Sequence, residues 1–293
     1  MTVLLHRRES SLAPAVSAAI LAMVAIQLAA ALSRPLVAEI GAPAVTWLRM
    51  ATAAAILMIV TRPNLRGLDR QSLWAALMLG AALAVMAVSY FAAVSRLPLG
   101  LASTIAFLGP FSIALFAARG RVAIALALLA GLGVLLTLDP WSQGSSHGWT
   151  ADPAGIAFAA ISAAGFAAYI LLTRRVGLLF RGTDGMTISL LTAAVLLTPF
   201  GIAGMDDMPS STVVLGSASL AVLAPLATCW LEMSALRKLG SQVFSVLLSL
   251  EPAIAAVLGI ALLVEVPNLL QTAGIACVVV AAIAVVRTGP EGQ

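Results

Sequence analysis

The sequence predicts an all-α integral membrane protein: ten transmembrane helices arranged as two inverted five-helix repeats. Three observations carry that expectation. Of 293 residues, 61% are hydrophobic and 10% are charged, against about 25% charged residues in a soluble domain, and the mean hydropathy is +1.08. Apolar runs of spanning length recur along the whole chain. The two halves also resemble one another when offset by 140 to 142 residues.

A helix needs about 20 apolar residues to cross a hydrocarbon layer of about 30 Å. Runs of that order lie at 13–33, 43–60, 73–94, 99–117 and 122–138, then at 154–173, 186–203, 212–235, 243–264 and 269–286. The first follows Arg7 and Arg8 and ends in Ala29-Ala30-Ala31, which looks like a cleavable signal peptide. Removing it would break the repeat, so it is expected to stay as a helix. The fifth and tenth runs are nearly free of polar groups, and Gly131, Gly133 and the Ala/Gly stretches suit close helix packing. Both read as scaffold or lipid-facing helices. Connections are short except at 139–153, a Gly/Ser-rich loop with a proline near each end. That loop divides the chain into repeats 1–145 and 146–293.

Charge sets the direction of the helices. With ten spans and an inner N-terminus, one side collects Arg7, Arg8, Arg62, Arg66, Arg70, Arg119, Arg121, Arg174, Arg175, Arg181, Arg237, Lys238 and Arg287. The other side has Arg96 and, near helix ends, Arg34 and Arg49, whose default reading is snorkelling toward headgroups. Lys and Arg favour the cytoplasmic side. Both termini are therefore expected in the cytoplasm, with the chain in a bacterial inner membrane. Trp47, Trp74, Trp141 and Trp149 lie near span ends and read as interface anchors.

The same residues exclude several functions. The basic groups fall in short clusters between apolar runs, so the pI near 9.8 reflects topology and not a nucleic-acid face. Cys229 and Cys277 lie inside apolar segments without paired spacing, which implies neither a disulfide framework nor a metal site. The histidines are His6 and His147, in a terminus and a loop, so no HExxH or His-supported nucleophile lies within the membrane. The absence of a Walker A motif leaves no direct ATP coupling in the chain. Neither an enzyme nor a cofactor is expected. A channel would need a filter or a ring of charge, and the sequence suggests none.

At an offset of 142, AVSRLPLGLASTIAFLGPF (93–111) falls on ALRKLGSQVFSVLLSLEPA (235–253), so that Ser103 meets Ser245 and Pro110 meets Pro252. At an offset of 140, MATAAAILM (50–58) falls on LLTAAVLLT (190–198), and Ser33-Arg34 on Thr173-Arg174. Five spans per repeat is an odd number, so the second copy enters the membrane inverted. Inverted repeats characterise secondary transporters, whose site lies near the midplane between the halves.

The helices bearing Gly109-Pro110 and Glu251-Pro252, with Glu265, Gln271 and Gly274 following the second, resemble the EamA repeat of the drug/metabolite transporter superfamily. The segment YFAAVSRLPLGLASTIAFLGPFSIALFAAR (90–119) resembles the bacterial threonine/homoserine and aromatic (YddG-type) amino-acid exporters. The resemblance implies alternating-access export of amino acids, over a range that includes threonine, homoserine, methionine or aromatic amino acids. The alternatives are a carrier of another small metabolite and a non-transporting scaffold or receptor. The first repeat lacks an acid at Gly109 and at the position matching Glu265, so roles of those acids are not duplicated.

Site candidates follow from polarity within the spans. Ser245, Ser249 and Pro252 share a helical face, and Ser103, Phe107 and Pro110 share the matching one. Each proline leaves a carbonyl unpaired one turn back. Either these faces line a central cavity or they form a packing kink with serines bonded to their own helix. Gln27, Tyr90, Tyr169, Trp230 and Glu232 supply the remaining polar tips for a zwitterionic substrate against apolar walls. Glu232 also sits one turn from Arg237 and Lys238, where pairing accounts for it. Three roles fit Glu251: a proton carrier, a contact for the substrate's amino group, or a structural acid meeting donors at the break. The superfamily resemblance favours the structural role. The partners expected are amino acids, the lipid bilayer and, under the first role, protons.

Overall fold

The protein is described by a computed structural model covering residues 2–63, 68–117, 121–141, 152–180, 183–203, 205, 209–228, 230–232, 234–235, 238–239 and 247–288. Every regular element among these residues is helical. Helix α1 runs Thr2–Thr61 and is interrupted at Gly41, whose φ of 79° and ψ of 156° suit a residue without a Cβ. Arg49 Nη1 donates to Ser33 Oγ at 3.1 Å. Sixteen residues along a straight helix would hold those groups about 24 Å apart. The chain therefore turns back at Gly41, and α1 consists of two arms, 2–40 and 42–61.

Helix α2 (Arg70–Val94) starts at Asp69, whose side chain accepts from Gln71 N and Ser72 N. The hydrogen bond with Ser72 holds the Asp69 carboxyl below its ordinary range. The next span is in two pieces, α3 (Leu99–Ala106) and α4 (Leu108–Ala117), with a turn at Phe107. Helix α5 (Arg121–Leu138) is followed by α6 (Pro153–Leu179), capped by Asp152 with proline in its first turn. Helix α7 (Asp184–Ala203) precedes α8 (Ser211–Ala221), capped by Ser210. Helix α8 passes into a π turn, Val222–Ala227, where Ala224 leaves helical geometry (φ −149°, ψ 123°) ahead of Pro225.

Helix α9 (Glu251–Leu263) starts after a turn at Ser249 and Leu250. Helix α10 (Leu269–Thr288) opens with a reciprocal cap in which Gln271 N donates to Asn268 Oδ1 and Asn268 N to Gln271 Oε1, both at 2.9 Å. Asn268 Nδ2 also donates to Asp139 Oδ2, tying the cap to the end of α5. Seven helices among the described residues are long and apolar enough to cross a membrane, beginning with Ala13–Thr61. Ile124–Leu138 and Glu251–Leu263 are shorter apolar helices. This is the architecture of an integral membrane protein.

In lipid, helices associate through close backbone approach and hydrogen bonds between helices. A Cβ on Gly80 would lie 2.4 Å from Ser189 O, and Ser189 Oγ donates to Ala76 O, which locks α2 to α7. Ser162 Oγ donates to Met86 O, and Gly165 abuts Met86, which locks α2 to α6. Gly133 meets the backbone of Gly274, so α5 and α10 pack as a pair. Gly131 faces open space and contributes nothing to that contact. Trp74 and Trp141 are exposed. Trp47 departs from its expected role: its Nε1 donates to Thr198 Oγ1 at 3.0 Å and its ring covers Gly201, so it packs between helices. Trp149 lies outside the described residues.

Candidate functional site

One chain of hydrogen bonds crosses the interior. Tyr90 OH on α2 donates to Gln27 Oε1 at 2.7 Å. The amide nitrogen of Gln27, on the first arm of α1, donates to Ser103 Oγ on α3 at 3.0 Å and to Glu251 Oε1 at 3.3 Å. Gln27 is fully buried. Glu251 occupies the first turn of α9, where the positive helix end favours a carboxylate. Pro252 follows within that turn, a position that forfeits no helical bond. Four residues far apart in sequence thus meet at the two interrupted helices. Glu232 is half-buried near the end of the eighth apolar run.

The other predicted residues are placed differently. Phe107 packs in an apolar cluster with Phe111, Leu126 and Val278. Pro110 is half-buried on α4. Ser249 is buried at the turn before Glu251. Tyr169 packs against the core of α2 and α7 and tilts against Phe166. Trp230 is 71% exposed and turns outward from the chain, as an amphipathic ring at a membrane boundary does. Ser245 lies outside the described residues.

Two arginines contradict the snorkelling expectation. Arg34 pairs with Glu265, and its Nη2 also reaches Leu97 O at 3.4 Å. The second oxygen of Glu265 accepts from Leu99 N at 2.7 Å, at the start of α3. The loop between α9 and α10 is thereby fastened to α1 and α3. A cleft of about 650 Å³ opens beside this pair, lined by Arg34, Val37, Gly41, Pro43, Ser89, Ser95, Arg96 and Phe158. Arg49 is buried, with its guanidinium 4.3 Å from the centre of the Phe91 ring. A guanidinium can turn inward where a carboxylate, a carbonyl or an aromatic face waits. Sequence position alone did not show those partners, although two charges inside apolar runs marked both places.

Residues 153–287 match the EamA-like transporter family. The threonine/homoserine exporter RhtA of Salmonella typhimurium (strain SL1344) is 35% identical over 266 residues, covering 90% of this chain and 88% of the exporter. The chain belongs to the EamA-like transporter family. The threonine/homoserine exporter RhtA of Escherichia coli (strain K12) is likewise 35% identical, over 89% of this chain and 88% of its own. Among the solved structures that share the fold is a crystal structure of a protein with a TM-score of 0.59 at 20% identity over 92% of this chain and 96% of that one. These relatives of the EamA chain are exporters and not enzymes.

Proposed function

We propose that the protein is a secondary carrier that exports amino acids across a bacterial inner membrane by alternating access. The observation that carries this reading is the 35% identity to threonine/homoserine exporters along nine-tenths of the chain. The internal geometry is consistent with it. A carrier needs polar groups near the midplane held between two bodies that can move apart. Gln27, Tyr90 and Ser103 from one repeat meet Glu251 from the other. The turns at Phe107 and Ser249 lie 142 residues apart, the offset of the sequence repeat. The reversal at Gly41 supports counting α1 as two spans, and α3 with α4 as one. The reading is ten spans in two inverted repeats, 1–145 and 146–293, with both termini in the cytoplasm. Flux is driven by gradients, of substrate alone or of substrate and protons, without ATP.

The test is counterflow in proteoliposomes loaded with unlabelled threonine or homoserine. Radiolabelled threonine is expected to accumulate well above the level in empty liposomes. No exchange of threonine, homoserine or any of a panel of neutral amino acids would refute export of amino acids. Orientation is checked separately: reporters fused at either terminus are expected to read cytoplasm, and a reporter within 141–150 the outer side. A cytoplasmic reading from that loop would remove the inverted repeat.

A further inference from the structure

Arg49 stands apart from the hydrogen-bond chain around Gln27, and its surroundings are unusual for a buried charge. It is 4% exposed. Two ion pairs exist among the described residues, and Arg49 takes part in neither. Its partners among the described residues are neutral. Nη1 donates to Ser33 Oγ at 3.1 Å, Nη2 donates to Ala224 O at 2.8 Å, and the face of Phe91 covers the plane at 4.3 Å. Among the described residues its Nε–H has no partner. An unpaired cation within a membrane protein is costly, and such groups mark the pathways of charged cargo.

The remaining donors have a definite shape. A guanidinium carries five N–H groups in one plane, and two of them on one edge match the two oxygens of a carboxylate. Nε–H and Nη2, the group that donates to Ala224 O, form such an edge. The carbonyl of Ala224 is no ordinary helical acceptor either, because it lies in the π turn where the backbone has left helical geometry. It belongs to the second repeat, while Ser33, Arg49 and Phe91 belong to the first. Arg49 therefore sits at the seam between the bodies that a carrier must separate. Six residues divide Ser33 from Gln27 on the same arm, a rise of about 9 Å. A positive group and a carboxylate, Glu251, are thus set apart along the interior.

We infer that Arg49 is the docking residue for the carboxylate of the transported substrate, with Ala224 O occupying its guanidinium when the cargo is absent. This rests on the amino-acid reading above and adds the residue that recognises the acid end. At an offset of 140 the second repeat has Ser189 in this place, so the charge is present once per molecule.

The experiment measures inhibition of threonine counterflow by unlabelled threonine and by threonine amide, which keeps the ammonium group and loses the carboxylate. Wild-type protein is expected to prefer the acid by at least 30-fold. Arg49→Gln keeps a donor for Ala224 O, so it is expected to weaken threonine about 30-fold and abolish the preference. Arg49→Lys, which keeps charge without the two-donor edge, is expected to weaken threonine about 10-fold and retain part of the preference. A purely structural arginine would lower the amount or thermal midpoint of folded protein while leaving the acid-over-amide ratio at its wild-type value. That ratio in Arg49→Gln would overturn the inference. If Arg49→Gln does not fold, wild-type affinity and preference in Arg49→Lys would overturn it. Wild-type protein that exchanges no amino acid would instead refute the functional reading on which the inference rests.

Discussion

Glu251→Leu is expected to lose most transport, by tenfold or more, and to lower the thermal midpoint, whereas Glu251→Gln is expected to fold normally and transport at nearly the wild-type rate. The reason lies in the donors around Glu251. The carboxylate accepts from Gln27, which is itself fixed by Tyr90 and Ser103. Leucine leaves one amide hydrogen without its acceptor in a buried place, at a cost of about 1–3 kcal/mol. It also removes the negative group from the first turn of α9, where the helix end favours one. Glutamine retains an oxygen of similar reach. The pair of variants also separates the other two roles. A proton carrier changed to glutamine would lose flux driven by a pH gradient and keep counterflow. A substrate contact would lose affinity in both assays. If the leucine variant matches wild type in folding and transport, Glu251 serves neither the helix break nor the cycle.

Gly109→Val is expected to yield little or no monodisperse protein in detergent. A Cβ at Gly109 would lie 2.2 Å from Ala163 O and 3.0 Å from Ala163 C. These are backbone atoms of α6, so no rotamer change relieves the contact and α4 must move away from α6. Overpacking in a dense interior costs about 1–3 kcal/mol, and a clash with fixed backbone falls at or above the top of that range. Gly131→Ala is the control, because that position faces open space and alanine favours a helix over glycine by about 0.5–1 kcal/mol. It is expected to purify with an unchanged or higher thermal midpoint. Equal thermal midpoints for Gly109→Val and wild type would mean that α4 and α6 are not held in close contact.

The same contact shows why sequence reasoning reached part of the site and not all of it. Gly109 aligns with Glu251 across the repeat, and the sequence showed that the first repeat lacks the acid. The reason is steric: the backbone of α6 occupies the volume a side chain would need. The helical, membrane-spanning class and the turn at Phe107 ahead of Pro110 were legible because hydrophobic length and proline position act locally. Gln27, Tyr90, Ser103 and Glu251 were legible as polar groups in apolar runs, but their mutual bonds depend on how four helices pack. Phe107 shows the limit of helical-face reasoning. It shares a face with Ser103 in an ideal helix, yet it forms the turn between α3 and α4 and packs with Phe111. Arg34 and Arg49 were read as snorkelling because a long cation near a span end can do so. Their partners, Glu265 and the carbonyl of Ala224, lie 231 and 175 residues away in sequence.

The sequence repeat offers the clasp formed by Arg34, Glu265 and Leu99 no matching acid in the other half. The offset that relates Arg34 to Arg174 is 140, and the one that places Glu251 on Gly109 sets Glu265 against Ala123. Arg174 is exposed, and alanine offers it no charge. If the repeats exchange shapes during the cycle, the two end states would be equal in energy only if their closures were equal. A clasp at one end alone would weight one of them, and each 1.4 kcal/mol of such weighting multiplies the ratio of waiting times by ten. One unmatched acid thus makes the two ends of the molecule unequal.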